Sequence, residues 1–141
     1  MKSFAIFTSI AILFAASSEA VKLSYDTTYD NSSGSLLTVT CSDGQNGLAS
    51  EYPTFGDLPG FPHIGAASGI QWNSPDCGFC YELTHATRRG RKSIYLLAMD
   101  RSVEGFTSSR QAMDDLTGGR AVELGSIDVE VQKVEDSSCG Y

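Results

Sequence analysis

The sequence predicts a small, mainly β single domain, either a β-barrel or a β-sandwich, with one clear helix. Several short segments alternate apolar and polar side chains with the period of two that is typical of β-strands. One segment has helical periodicity, and turns rich in glycine separate the elements. The 141 residues contain no internal repeat and no change of composition that would mark a second domain.

The first twenty residues have the pattern of a secretory signal peptide. A basic start precedes an apolar run from Phe4 to Ala16, and the small residues Ser18 and Ala20 fit a cleavage site after Ala20. The run is shorter than the roughly 20 apolar residues that span a membrane. A buried N-terminal helix is the alternative. We therefore expect residues 1–20 to be removed on export and residues 21–141 to form the domain.

Two strand-like segments and a long irregular region follow. The segment KLSYDTTY (residues 22–29) alternates in the manner of a strand, and Leu36–Cys41 is apolar and β-branched. Residues 42–77 are dense in Gly, Pro, Asp and Asn, so loops and turns should dominate there. An irregular region of this length is uncommon in a compact domain unless it is crosslinked or functional, and cysteines bracket it.

The second half predicts a hairpin, a helix and further strands. CYELTHA and SIYLLAMD flank a basic turn, and the nearly unbroken apolar run Ile94–Met99 is typical of a strand buried on both faces. In SSRQAMDDLTGG, Ser108 and Gln111 fit a capping box and Gly118 ends the helix. AVEL and SIDVEVQKV then alternate again, which predicts strands.

The charge of the chain limits its partners. The formal net charge is −7, and an acidic protein repels the phosphates of nucleic acid and of anionic membranes, so we expect neither as a partner. The segment RRGRK (Arg88–Lys92) is a local exception. We expect it to be a solvated hairpin turn, with contact to an acidic polymer as the alternative.

The four cysteines are Cys41, Cys77, Cys80 and Cys139. An even number in an exported chain favours two disulfides. The CGFC pair is a poor redox motif, because Pro75 before it and Gly78 within it would interrupt the helix that such a motif needs. A zinc site would need two further ligands at suitable spacing. Three pairings remain open. Loop entropy weakly favours Cys41–Cys77 with Cys80–Cys139, because each long loop would contribute about 4 kcal/mol in the chain-entropy model.

No motif of a catalytic triad, phosphate-binding loop or metal site occurs, so we expect no cofactor and no metal. Asp100 ends an apolar strand, where a carboxylate can accept hydrogen bonds from sugar hydroxyls or act as a glycosidase acid. Its alternative role is to accept backbone N–H groups of the following turn. Trp72, the single tryptophan, is either a core residue or a platform for a sugar ring. Asn31 begins an N-glycosylation acceptor sequence.

Six segments resemble the cerato-platanin family of small secreted fungal proteins. They are SYDTTYD, CSDGQNGL, FPHIGAASG, WNSPDCGFCYELT, IYLLAMD and GFTSSRQAMDDLTGGRAVELGSIDVEVQKV, and they follow one another in the family's order. The resemblance implies a single-domain double-psi β-barrel with one or two short helices. It also implies the disulfides Cys41–Cys77 and Cys80–Cys139.

The resemblance also implies a function. Members of the family are mostly non-enzymatic: they bind chitin and N-acetylglucosamine oligomers, associate with cell-wall polysaccharide, loosen it in some cases and elicit plant defence. Expansins and certain endoglucanases share the barrel, with a His-x-Asp strand end. Here the triplet is Ala98-Met99-Asp100, which keeps the aspartate but lacks the histidine and so favours binding over hydrolysis. The alternatives are a weak endoglucanase using Asp100 and a surface-active, self-assembling wall protein.

The resemblance further implies a shallow sugar groove, and we expect a monomer whose partners are these glycans and a plant receptor. Carried over to this sequence, the groove residues are Tyr25, Asp26, Ser42, Asp43, Gly44, Asn73, Ser74 and Asp100. Hydrogen-bond acceptors backed by turn amides suit polyhydroxylated rings, and a shallow groove that buries little area should bind weakly. The basic turn is longer and more basic than is usual in the family, and Gly140-Tyr141 extends past the last cysteine.

Overall fold

A computed structural model describes residues 20–141, together with the scattered positions Ser3, Ala5, Ile6 and Ile10. Apart from these positions, the predicted signal peptide lies outside the described residues. Within the described part, no helix combines the length and the apolar character that a membrane crossing requires.

The described residues form a closed barrel of six strands. Around the barrel the strands follow the order β1-β5-β2-β4-β3-β6. The pairs β1/β5 and β2/β4 are parallel, and the other four neighbouring pairs are antiparallel. This is the double-psi β-barrel that the resemblance implies. In chain order, β1 to β6 are Val21–Tyr25, Ile64–Ser68, Cys80–Thr87, Gly90–Ser102, Phe106–Ser108 and Ser126–Val134.

Two short helices and four 3₁₀ turns connect the strands in the described chain. The helices are α1 (Arg110–Thr117) and α2 (Ala121–Leu124). The 3₁₀ turns are Thr27–Asp30, Leu36–Thr38, Phe55–Asp57 and Asp136–Cys139.

Strand β4 separates two hydrophobic clusters, which explains its unbroken apolar run. Leu96 and Ala98 belong to a cluster that fills the barrel and extends under α1. Leu97 and Met99 belong to a second cluster beneath the long region between β1 and β2. All four side chains are fully buried. The prediction of a strand buried on both faces, within a β3–β4 hairpin, is confirmed.

Four local predictions were wrong. The strand predicted over residues 22–29 ends at Tyr25, because Asp26 caps a 3₁₀ turn at Thr27–Asp30. Leu36–Cys41 forms no strand, because its first residues make a 3₁₀ turn whose buried leucine packs into the second cluster. AVEL is helix α2, since Arg120 and Ala121 carbonyls accept the helical hydrogen bonds of Leu124 and Gly125. Helix α1 begins one residue later than predicted.

The cap of α1 is Ser109, whose Oγ accepts the N–H of Ala112 at 3.1 Å. Ser108 is instead the buried last residue of β5, and its hydroxyl donates to the carbonyl of Ser109. A second cap comes from Asp30, whose carboxylate accepts the N–H groups of Arg110 and Gln111 at 2.7 and 2.9 Å. This carboxylate also complements the positive end of the helix dipole.

The two disulfides join Cys41 to Cys77 and Cys80 to Cys139, with Cα–Cα distances of 5.6 and 5.8 Å. The described part of the chain holds no free cysteine. The two cysteines of CGFC therefore belong to different bridges, as the resemblance implies. The first bridge closes the irregular region, and the second ties the chain end to the start of β3.

Candidate functional site

Two loops, residues 42–46 and 71–74, lie against each other at one side of the barrel, and we call them the loop pair. The Cys41–Cys77 disulfide joins the residue before the first loop to the residue three positions after the second loop. Asn73 holds Asn46 by two hydrogen bonds: its Oδ1 accepts the backbone N–H at 2.8 Å and its carbonyl accepts the side-chain amide at 3.0 Å. Five of the eight predicted groove residues belong to the loop pair: Ser42, Asp43, Gly44, Asn73 and Ser74.

Backbone geometry makes the loop pair dependent on glycine. Gly44 has φ +86°, a left-handed conformation that side chains disfavour. A Cβ at this position would lie 2.7 Å from Oδ1 of Asn73. Asn73 itself has φ +59°, and asparagine is one of the few residues that tolerate this region. The two loops can therefore approach only with these residue types.

Asp43 and Trp72 join the rims of the two loops. The indole Nε1–H of Trp72 donates to Oδ1 of Asp43 at 2.7 Å. This hydrogen bond is the main cause that lowers the pKa of the Asp43 carboxyl below its ordinary value. The Ser42 hydroxyl donates to the same oxygen at 3.3 Å. Because 60% of Trp72 remains exposed, an apolar ring lies beside a fixed, ionised carboxylate on the surface.

A depression of about 360 Å³ adjoins this rim. Asp43 and Gly44 line one side, and Leu37 and Pro53 line another. Leu37 is 69% exposed and adds apolar surface to the depression. The surface thus combines acceptors and apolar groups within one concave area.

Ser74 has a local structural role within the loop pair. Its Oγ accepts the backbone N–H of Asp76 at 3.2 Å, and its own N–H donates to the carbonyl of Gln71. These bonds close the turn that carries Trp72 and Asn73.

The Asp100 carboxylate accepts four hydrogen bonds. Oδ1 accepts the N–H of Thr40 at 3.0 Å, the hydroxyl of Thr40 at 2.9 Å and the N–H of Arg101 at 2.8 Å. Oδ2 accepts the phenol of Tyr29 at 2.7 Å. Burial, and then the hydrogen bond to Asp100, raise the pKa of Tyr29. Since Thr40 precedes Cys41, Asp100 positions the chain where the loop pair begins.

The two remaining groove candidates, Tyr25 and Asp26, lie at the end of β1 and directly after it. Asp26 caps the first 3₁₀ turn by accepting the N–H of Thr28 at 2.8 Å. It lines a depression of about 590 Å³ together with Tyr29 and Arg101. Tyr25 is half-buried and packs against the cluster that fills the barrel.

Tyr29, Thr40 and Asn46 support the site; the sequence marked Tyr29 only as one of several aromatic residues, and it marked neither Thr40 nor Asn46. Each acts through a partner that is distant in the sequence, so no local spacing marks it. Asn31 is exposed, and its Oδ1 accepts the N–H of Ser33 at 3.1 Å, so its glycosylation stays a prediction. Among the described residues, no group of three or more His, Cys, Asp or Glu side chains is arranged to hold a metal ion.

Comparison with known proteins identifies the family. The cerato-platanin family model matches residues 21–141. The heat-stable 19 kDa antigen of Coccidioides immitis is 48% identical over 120 residues, which span 84% of this chain and 80% of the antigen.

Solved structures agree in fold. Cerato-platanin 1 from M. perniciosa superposes with a TM-score of 0.84 at 63% identity, over 85% of this chain and 99% of that one. The solution structure of a protein described as the fungal elicitor cerato-platanin gives a TM-score of 0.75 at 37% identity, over 84% of this chain and 96% of that one. The chain belongs to the cerato-platanin family.

Proposed function

We propose that this chain is an exported, non-catalytic protein that binds chitin or N-acetylglucosamine oligomers at the loop pair and acts on cell-wall polysaccharide. The contact between Trp72 and Asp43 carries the proposal. The 2.7 Å hydrogen bond from the indole Nε1–H to Oδ1 of the carboxylate holds an exposed aromatic ring beside an ionised acceptor. One sugar ring can contact both groups. The apolar C–H face of the sugar stacks on the indole, and its hydroxyls donate to the carboxylate.

The crosslink and the hydrogen bonds within the loop pair support glycan binding there, even though the site is open and its affinity is weak. A disulfide, two Asn46–Asn73 hydrogen bonds and a left-handed glycine hold the acceptors in place before a ligand arrives. Preorganisation lowers the entropic cost of association. The site is shallow, so water competes with the ligand and affinity depends on stacking more than on buried area.

The surroundings of Asp100 support a non-catalytic function. A glycosidase acid must reach the glycosidic oxygen, and four donors already occupy the Asp100 carboxylate. The position of the histidine in the related His-x-Asp strand end holds Ala98, which is fully buried and has no ionisable group. Asp100 therefore acts as a positioning residue for Thr40 and the loop pair.

Export and elicitation of plant defence complete the proposal. Two disulfides are typical of proteins that fold in oxidising compartments, and residues 1–20 have the signal-peptide pattern. A structural relative at 37% identity is described as a fungal elicitor. We infer that a plant receptor recognises this chain, and that wall loosening accompanies its binding to wall polysaccharide.

Calorimetry with an N-acetylglucosamine hexamer tests the binding site. Trp72→Ala and Asp43→Asn should each weaken binding about tenfold, because each removes one half of the paired surface. Tyr95→Ala is the matched control, since it removes an exposed aromatic side chain on β4, outside the loop pair. Equal affinity of all four proteins, or no heat with wild type, would reject the proposal. An oxidative burst in leaf tissue exposed to wild type tests the elicitor function, and its absence would reject that part.

A further inference from the structure

The turn between β3 and β4 lies beside the α1–α2 corner and forms a cleft of about 560 Å³ with it. The basic side chains of Arg88, Arg89, Arg91, Lys92 and Arg120 surround the cleft, and Leu116 and Leu124 are among the residues that line it. We call it the basic cleft. None of these residues belongs to the loop pair.

Three of the five cations in the basic cleft lack an acidic partner. Arg91 pairs with Glu130, and Arg120 pairs with Glu123. No carboxylate of the described chain forms an ion pair with Arg88, Arg89 or Lys92.

The Asp115 carboxylate on α1 is near enough to Lys92 for the Lys92 charge to contribute to its lowered pKa, but no ion pair joins the two side chains. Asp115 pairs with His63 at 2.6 Å and accepts the side-chain amide of Gln111 at 2.8 Å. The cleft is therefore locally positive in a protein of net charge −7, and a local excess of one sign attracts ligands of the other sign.

The hairpin holds the cations in a defined arrangement. Thr87 pairs with Gly90 across a two-residue turn, and the Thr87 hydroxyl accepts the N–H of Arg89 at 3.2 Å. Lys92 is paired with His85, so both side chains leave the same face of the sheet. His85 is anchored in turn, because its Nδ1 lies 3.1 Å from the carbonyl of Asp128. An anionic ligand would therefore contact cations that are carried by a hydrogen-bonded β-hairpin.

We propose that the basic cleft binds an anionic polysaccharide that carries carboxylates on its sugar rings, a polyuronate. Guanidinium groups at Arg88 and Arg89 match planar carboxylates by paired hydrogen bonds, and Lys92 adds a point charge. Leu124, which is partly exposed, offers apolar surface for the C–H face of a ring. The hydroxyl of Thr87 and nearby backbone groups suit the remaining sugar hydroxyls.

Charge density favours a polyuronate over other polyanions. Double-stranded DNA carries one negative charge per about 1.7 Å. This dense charge repels the acidic surface that a protein of net charge −7 presents outside the basic cleft. Anionic lipid surfaces impose the same repulsion over a wide contact area. A polyuronate has one charge per ring and uncharged stretches between charges, which matches a small positive cleft on an acidic protein.

Affinity electrophoresis through gels containing polygalacturonate tests the proposal at about 20 mM salt, where screening is weak. Wild type should be retarded. The variant Arg88→Gln/Arg89→Gln/Lys92→Gln should lose about tenfold in affinity, and Arg88→Gln alone about threefold. The matched control is Lys22→Gln/Arg110→Gln/Lys133→Gln, which changes the net charge equally at exposed positions outside the cleft and should keep at least half of the affinity. About 300 mM salt, or a fully methyl-esterified polymer, should abolish retardation.

Four results would overturn the proposal. They are no retardation of wild type, unchanged affinity of the cleft variant, equal loss in both triple variants, and stronger binding to DNA or to vesicles of anionic phospholipid than to polygalacturonate. If the triple variant does not fold, the single variant at the exposed turn decides. The cleft variant should keep the wild-type affinity for the N-acetylglucosamine hexamer, so failure of this proposal and failure of the loop-pair proposal can be told apart.

Discussion

The phenol of Tyr29 donates a 2.7 Å hydrogen bond to Oδ2 of Asp100, although the two residues are 71 positions apart in the sequence. The bond connects the first 3₁₀ turn to β4, and the same carboxylate holds Thr40 through Oδ1. One side chain thus joins three separate segments at the entrance to the loop pair.

Loss of this bond should reduce stability. Tyr29→Phe leaves Oδ2 of Asp100 without its partner in a partly buried place, so the free energy of unfolding should fall by about 1–2 kcal/mol in urea titrations. Tyr95→Phe is the control, because the exposed Tyr95 phenol makes no side-chain hydrogen bond with the described residues. Equal stability of both variants would show that the Tyr29–Asp100 hydrogen bond does not stabilise the fold. Asp100→Ala should cost more than Tyr29→Phe, since it removes all four hydrogen bonds.

Alkaline pH should destabilise the protein through the same tyrosine. Burial and the Asp100 hydrogen bond raise the pKa of Tyr29, and burial also raises that of Tyr141. The unfolded chain therefore loses these protons first, above pH about 10, so stability is complete below that pH and falls above it. Each tyrosine contributes at most about 1.4 kcal/mol per pH unit. Urea unfolding between pH 8 and 11 should show this fall, and Tyr29→Phe should make it shallower; an unchanged slope would contradict the prediction.

The two disulfides should differ in their effect on binding but not on stability. Cys41→Ser/Cys77→Ser and Cys80→Ser/Cys139→Ser should each lower the free energy of unfolding by about 4 kcal/mol. Only the Cys41–Cys77 disulfide flanks the two loops of the loop pair. Only its loss should therefore weaken binding of the N-acetylglucosamine hexamer while the protein is still folded. Circular dichroism identifies a temperature at which both variants are folded. Equal loss of affinity in both would contradict the role assigned to the Cys41–Cys77 bridge.

The indole of Trp72 should control the ionisation of Asp43. Trp72→Phe keeps an aromatic ring but removes the N–H donor, so the pKa of Asp43 should rise toward its ordinary value. A ¹³C NMR titration of the carboxyl carbon measures this pKa directly. Asp115 provides an internal reference in the same spectra, because the hydrogen bond to His63 is the main cause of its lowered pKa and should be unaffected by the substitution. An Asp43 titration that is identical in wild type and variant would show that the two side chains do not interact.

Strong local patterns predicted the barrel strands that have them. The β3–β4 hairpin and β6 were predicted because each strand is eight or more residues long and contains an alternating segment or an apolar run. Strands β2 and β5 are only five and three residues long, and β2 consists largely of small residues. Their partners on both sides define them, and no periodicity of their own could do so.

Errors at the helices have the same origin. Ser108 was predicted to cap α1, but the adjacent Ser109 does so because β5 extends through Ser108. AVEL is too short for its period to distinguish strand from helix. In the site, resemblance supplied Asp43, Asn73 and Asp100, whereas their contacts with Trp72, Asn46 and Tyr29 are long-range and leave no local pattern in the sequence.

Whether the loop pair binds a glycan can be measured residue by residue in an NMR titration. Addition of an N-acetylglucosamine hexamer to ¹⁵N-labelled protein should shift the amide signals of Asp43, Gly44 and Asn73 and the indole N–H of Trp72, while the signals of β3 residues His85–Thr87 stay in place. Loop-pair signals that stay unmoved at saturating ligand, or shifts confined to another surface, would contradict glycan binding at the loop pair.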